Sequence, residues 1–148
     1  KREDADAFVL RNSAGALSVR VAGLALELGA GGTGFALVGH DGAVRAVEAQ
    51  GLVQAGQRAV ARVSGHAFVV AADDRDLAEA RQWLVLPLAP GEVRIRSAAK
   101  AVRAEVCEGR NREWAVLGPA EAAVTGGEVQ VPVPAALRRE VIRVTRLE

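Results

Sequence analysis

The sequence predicts an all-β fold: an antiparallel β-sandwich of the jelly-roll or immunoglobulin-like kind, with at most one or two short helical turns. Three observations predict it. Apolar and polar residues alternate with a period of two along most of the chain, which is the spacing that sends successive strand side chains to opposite faces. Turn-forming clusters such as NSAG, HDG, VSG, APG, EGRN and TGG recur at the roughly eight- to twelve-residue interval of sandwiches and barrels, too short for the helices of βαβ units. Finally, the apolar half of the composition is mostly Ala, Val and Leu, with only Phe8, Phe35, Phe68, Trp83 and Trp114 as aromatics. A chain of 148 residues is long enough to bury a core without disulfide or metal staples. We read residues 1–146 as one domain of roughly ten to fourteen short strands, and the terminal Leu147-Glu148 as a cloning remnant.

The elements follow in order. LSVRV (17–21) alternates strictly and reads as a half-buried strand. The glycine-rich 29–34 segment lacks the Lys and Ser or Thr of a phosphate loop and is followed by the strand-like FALV rather than a helix, so it reads as a plain connection. Asp41-Gly42 between FALVG and AVRAVEA is the best hairpin turn, because both residues tolerate the positive φ values of tight hairpins. The continuous apolar runs AFVVAA (67–72) and WLVLPL (83–88) read as central strands buried on both faces or lying under a loop. Between them lies DDRDLAEARQ, where a single helical turn at 77–80 is one reading; another turn is possible in PAALRREV (134–141). EVRIR, VRAEV, EVQVPV and VIRVTRL complete the set as alternating strands.

Several function classes are disfavoured by composition. Nineteen Lys plus Arg against eighteen Asp plus Glu, spread along the chain, offer neither a nucleic-acid groove nor a patch for an anionic membrane. Lys1 and Lys100 are the only lysines, an arginine bias that together with the Ala, Val and Gly excess fits a GC-rich bacterial genome. The single Cys107 excludes an internal disulfide framework and a thiolate metal cluster. His40, His66, Ser13, Ser18, Ser64, Ser97 and Cys107 supply groups for nucleophilic chemistry, yet no nucleophile-elbow motif is present. No cofactor is expected.

The run Asp73-Asp74-Arg75-Asp76 admits a structural calcium, since hard cations collect oxygen ligands. It lacks the alternation and closing glutamate of an EF-hand loop, and a turn whose Asp side chains bond nearby backbone is the favoured reading. Trp83 is expected in the core. Trp114 is also expected to be buried, sharing its face with Val116. Were it exposed, its ring would be a stacking platform for a pyranose, with His40 and Asp41 as polar contacts.

Residues 63–96, VSGHAFVVAADDRDLAEARQWLVLPLAPGEVRIR, resemble the non-catalytic C-terminal β-sandwich domain of many bacterial glycoside hydrolases. In that pattern a strand (68–72), an Asp turn (73–76), Leu77, Ala80-Arg81 and a Leu/Val strand (84–86) succeed one another, although Arg75 stands where glycine is common and Ala80 where serine is common. VRAEVCEGRNREWAVLG (102–118) is similar to the hairpin of those domains in which a glycine-bearing turn precedes a Trp, and GHDGAVRAVEAQG (39–51) to an earlier Asp-Gly hairpin. The resemblance implies an accessory, non-enzymatic carbohydrate-binding module, with glycan or its own catalytic domain as partner; the compartment is left open, an extracellular bacterial one being favoured. The alternative is an interaction module that docks on a neighbouring domain through an exposed sheet face and binds no glycan.

Overall fold

The structure, a computed structural model, describes the backbone of residues 5–11, 17–21, 24–28, 33–39, 43–55, 58–110 and 113–148, and the side chains of 43–48, 60–110 and 113–148. Among these residues there are thirteen strands and no helix. They are β1 (Ala5–Arg11), β2 (Leu17–Val21), β3 (Leu24–Leu28), β4 (Thr33–Gly39), β5 (Val44–Ala55), β6 (Arg58–Ala71) and β7 (Gln82–Ala89). There follow β8 (Gly91–Arg96), β9 (Val102–Arg110), β10 (Glu113–Ala120), β11 (Ala123–Thr125), β12 (Glu128–Val133) and β13 (Glu140–Arg146). Every pairing is antiparallel.

The long β5–β6 hairpin is the spine of a curled, branching sheet. The half of it in which Ala46–Ala49 pair with Ala67–Val70 continues through β4 to β1 on one side, and through β7, β13 and β9 to β10 on the other. Its other half continues through β3 to β2 and through β8 and β12 to β11. β6 leaves β7 for β8 at Ser64-Gly65, where the β7–β8 corner crosses it. A Cβ on Gly65 would stand 2.1 Å from the Pro90 carbonyl oxygen, and one on Gly91 2.4 Å from the Gly65 nitrogen. Only a pair of glycines lets two backbones approach so closely. Ser64 Oγ accepts a 2.7 Å bond from the Glu92 N–H and holds the crossing together.

Both branches feed one core. Val47, Val69, Val85, Ile142 and Val144 from one branch join Val63, Val93, Ile95, Val129 and Val131 from the other in a single buried cluster, each side chain contributing about 1.5–3 kcal/mol on full burial. Trp83 is fully buried, as the sequence suggests, and its Nε1 donates 2.9 Å to the Leu77 carbonyl.

The expectation that 67–72 and 83–88 are buried on both faces is corrected. Ala67, Val69 and Ala71 are buried while Phe68 and Val70 are only half-buried, and Leu84 and Leu86 alternate likewise with buried Trp83, Val85 and Pro87. These central strands face the core on one side only and carry an apolar second face.

The acidic run is a turn built from its own carboxylates. Asp76 Oδ1 accepts from the Val44 N–H and Oδ2 from the Ala78 N–H, both at 2.9 Å, while Asp73 Oδ2 accepts from the Arg81 N–H at 2.9 Å. Asp74 adopts a φ of 62°, a conformation Asp tolerates better than most residues. Residues 77–80 form no helix: one Glu79 N–H to Asp76 O bond of 2.9 Å closes a turn, and Leu77 and Ala80 drop into the core. Residues 134–139 are also non-helical. The 29–32 segment and the Asp41-Gly42 turn lie outside the described residues, though β4 and β5 pair antiparallel as that hairpin requires.

Candidate interaction surface

β10 ends one path of strand pairing, hydrogen-bonded to β9. On β9, Ala104 and Val106 lie opposite core residues Val144 and Ile142 of β13, so Glu105, Cys107 and Gly109 point away from the core. Register then decides where Trp114 goes. It pairs with Gly109 and therefore stands on the outer face, 41 % exposed. The expectation of a buried Trp114 is thus overturned, for a plain reason: period-two alternation shows which residues share a face, not which face meets the core. Gly109 also lets the indole lie across it, with Cζ3 only 3.5 Å from where a Cβ would be.

Val116, two residues on, shares this face and is 50 % exposed. Between Val116 and Gly118 the register shifts, so that Leu117 is the extra residue of a β-bulge and is also 50 % exposed. Across β10, β9 and β13 one cross-strand row reads Val116, Cys107 and Val141; on the same outer face Leu86 pairs with Phe68, next to Val85, which stands opposite core residue Ile142. Cys107 is fully buried yet belongs to this outer row rather than to the core cluster. Desolvation pushes its thiol pKa up, with Arg143 opposing, so the group is a poor nucleophile at neutral pH.

The adjacent row holds Leu84, Arg143 and Glu105. Arg143 Nη2 donates 3.1 Å to Glu105 Oε1, while Arg143 Nε is buried without a partner. A half-buried ion pair thus borders the apolar strip. At the hairpin end, Arg110 Nη2 donates 2.8 Å to Glu108 Oε2.

The remaining candidates are engaged or lie outside the described residues. His40 and Asp41, named as polar contacts for a sugar, fall outside, as does Ser13, while Ser18 is described only in its backbone, within β2. His66 Nε2 is 3.2 Å from Glu48 Oε2. Ser64 Oγ bonds Glu92, and buried Ser97 accepts from the Ala99 N–H at 3.0 Å. Among the described residues no three or more His, Cys, Asp or Glu side chains converge as a metal site.

Sequence reasoning identified the Trp114–Val116 pair as sharing a face but not Leu117, whose exposure comes from the bulge. The Gly118-Pro119 step that follows is a local signal of a strand irregularity. It also did not find the apolar outer face that carries Cys107, Val141 and Leu86, for which the only signal was the unbroken apolar character of WLVLPL.

Compared with family models, with curated proteins and with solved structures, the chain matches none of them.

Proposed function

We propose that this chain is a non-catalytic β-sandwich module, the two branches of its sheet forming the two layers, and that it works by docking the outer face of β9 and β10 on a neighbouring protein surface. The observation that carries the reading is the contiguous apolar strip. Trp114 and Val116 share the outer face and are exposed, as is the bulge residue Leu117 beside them in the strand; Val141, paired with Cys107, prolongs the strip toward the sheet centre, and Leu86 lies on the same face of β7. The outer face of an antiparallel sheet that meets only water is ordinarily polar, and grouped apolar side chains with a polar rim mark interaction sites. Trp is among the residues that dominate binding energy at such contacts. The Arg143–Glu105 ion pair provides a polar border on the same face. The accessory-domain resemblance supports the same reading, since such a module sits beside a larger enzyme.

One observation favours a second reading, glycan binding. The indole of Trp114 lies over Gly109 with part of the ring exposed, a posture suited to stacking on a sugar. Its face-sharing neighbour is apolar Val116 rather than a hydrogen-bonding group, which is why docking takes precedence.

The test is sedimentation velocity of the isolated chain, in which a second copy is the available partner, beside Val116→Glu and Leu117→Glu. The docking reading expects concentration-dependent association in the parent and its loss in both variants. A parent that stays monomeric, yet is retarded by a polysaccharide in affinity electrophoresis in a manner abolished by Trp114→Ala, would replace docking by glycan binding.

A further inference from the structure

A second site lies at the opposite side of β9, where the core is left open. Val106 is on the core-facing side of β9, yet it is only half-buried. It borders an apolar cavity of about 500 Å³, within the ~300–1,000 Å³ range of small-molecule sites. Val133 and Ile142, members of the main core, are among its lining residues, with Ala120 and Leu137 packed against that core. The β12–β13 connection is pinned alongside by the Leu137 N–H, which donates 3.1 Å to the Pro87 carbonyl. Pro119, Pro132 and Pro134 give it stiff walls that lack a backbone donor.

Glu121 is the single ionisable side chain on the lining. It also borders an adjoining depression of about 380 Å³, where the other carboxylate, Glu92, is paired with Arg94. Among the described residues Glu121 has no ion-pair partner. Charge complementarity therefore selects among apolar occupants. We propose that this cavity binds a small organic cation, an apolar body inserted against Val106, Val133 and Ile142 with its ammonium group at Glu121.

The experiment is methyl-resolved NMR titration of the chain with three compounds of one skeleton: 4-phenylbutylamine, 4-phenylbutanol and 4-phenylbutanoate. The proposal expects shifts confined to the methyls of Val106, Val133, Leu137 and Ile142. The amine should bind about threefold or more tightly than the alcohol, the gain available from one partly exposed ion pair, and the carboxylate most weakly. Glu121→Gln should equalise amine and alcohol without weakening the alcohol, and Ala120→Phe should weaken all three. Absence of shifts at these methyls up to solubility, or an order of affinities indifferent to charge, would overturn it. Because Val106 faces away from the Trp114 strip, the result is independent of the docking surface.

Discussion

Asp76 offers the sharpest stability test, because a single carboxylate joins the start of β5 to the acidic turn. Its two oxygens accept 2.9 Å bonds from the N–H groups of Val44 and Ala78, and Val44 is fully buried. Replacing Asp76 by Ala removes both acceptors and leaves the Val44 amide, in a buried setting, without this partner. A bond to a charged acceptor contributes about 1.5–3 kcal/mol. Two bonds on one half-buried group do not sum fully, so Asp76→Ala should cost about 2–4 kcal/mol. Asp76→Asn keeps one acceptor oxygen and should fall between the parent and the alanine variant. For a chain of this size 1 kcal/mol moves Tm by about 2–4 °C, so the alanine variant should melt about 5–15 °C lower. Urea unfolding followed by the fluorescence of Trp83 measures the difference, with an unchanged slope confirming that only stability moved. A loss below about 0.5 kcal/mol, the range of an ordinary surface substitution, would refute the assignment of Asp76 as a structural clasp.

Four further outcomes are expected. Gly65→Ala should destabilise by about 3 kcal/mol or more, since its Cβ would collide with the Pro90 carbonyl and overpacking costs at least ~1–3 kcal/mol; thermal melts check this. Calcium at millimolar concentration should leave Tm unchanged, because the Asp73 and Asp76 carboxylates already serve backbone amides; a rise on addition that chelator reverses would restore the cation reading. Cys107 should react with a thiol-specific disulfide reagent at least about a hundredfold more slowly in the native chain than in urea, because a buried thiol of raised pKa must await opening. The Glu148 carboxyl is held below the ordinary glutamate range chiefly by the Lys100 N–H, with Arg146 and the Ala101 N–H adding and desolvation opposing. Its stabilisation is then fully present above an unfolded pKa of about 4.3 and is lost as pH falls through the lower folded value, so Glu148→Gln should differ from the parent at pH 6 and converge with it in acid.

Much of the sheet could be read in the sequence, because period-two alternation and punctuating turns are local properties. Thus 17–21, 128–133 and 141–147 fall on or within a residue of β2, β12 and β13. What escaped was whatever depends on partners remote in sequence. Trp114 is exposed because Gly109 and Cys107 stand on the outer face, which β13 determines through Ile142 and Val144. The runs 67–72 and 83–88 look doubly buried in composition, yet their second faces line the strip that ends at Val116. The branching at Gly65 was likewise invisible, since nothing local distinguishes a glycine under a crossing strand from one in a turn. The acidic run was legible as a turn because Asp bonds its near neighbours, whereas the reach of Asp76 back to Val44 was not.

Hydroxyl-radical footprinting of the isolated chain at low and high protein concentration bears most directly on the docking face. The account predicts that side-chain oxidation of Trp114, Val116 and Leu117 falls as concentration rises, while Leu147, exposed near the end of the chain, keeps its rate. Oxidation of all four that is independent of concentration, or protection that appears at Leu147 instead, would contradict it.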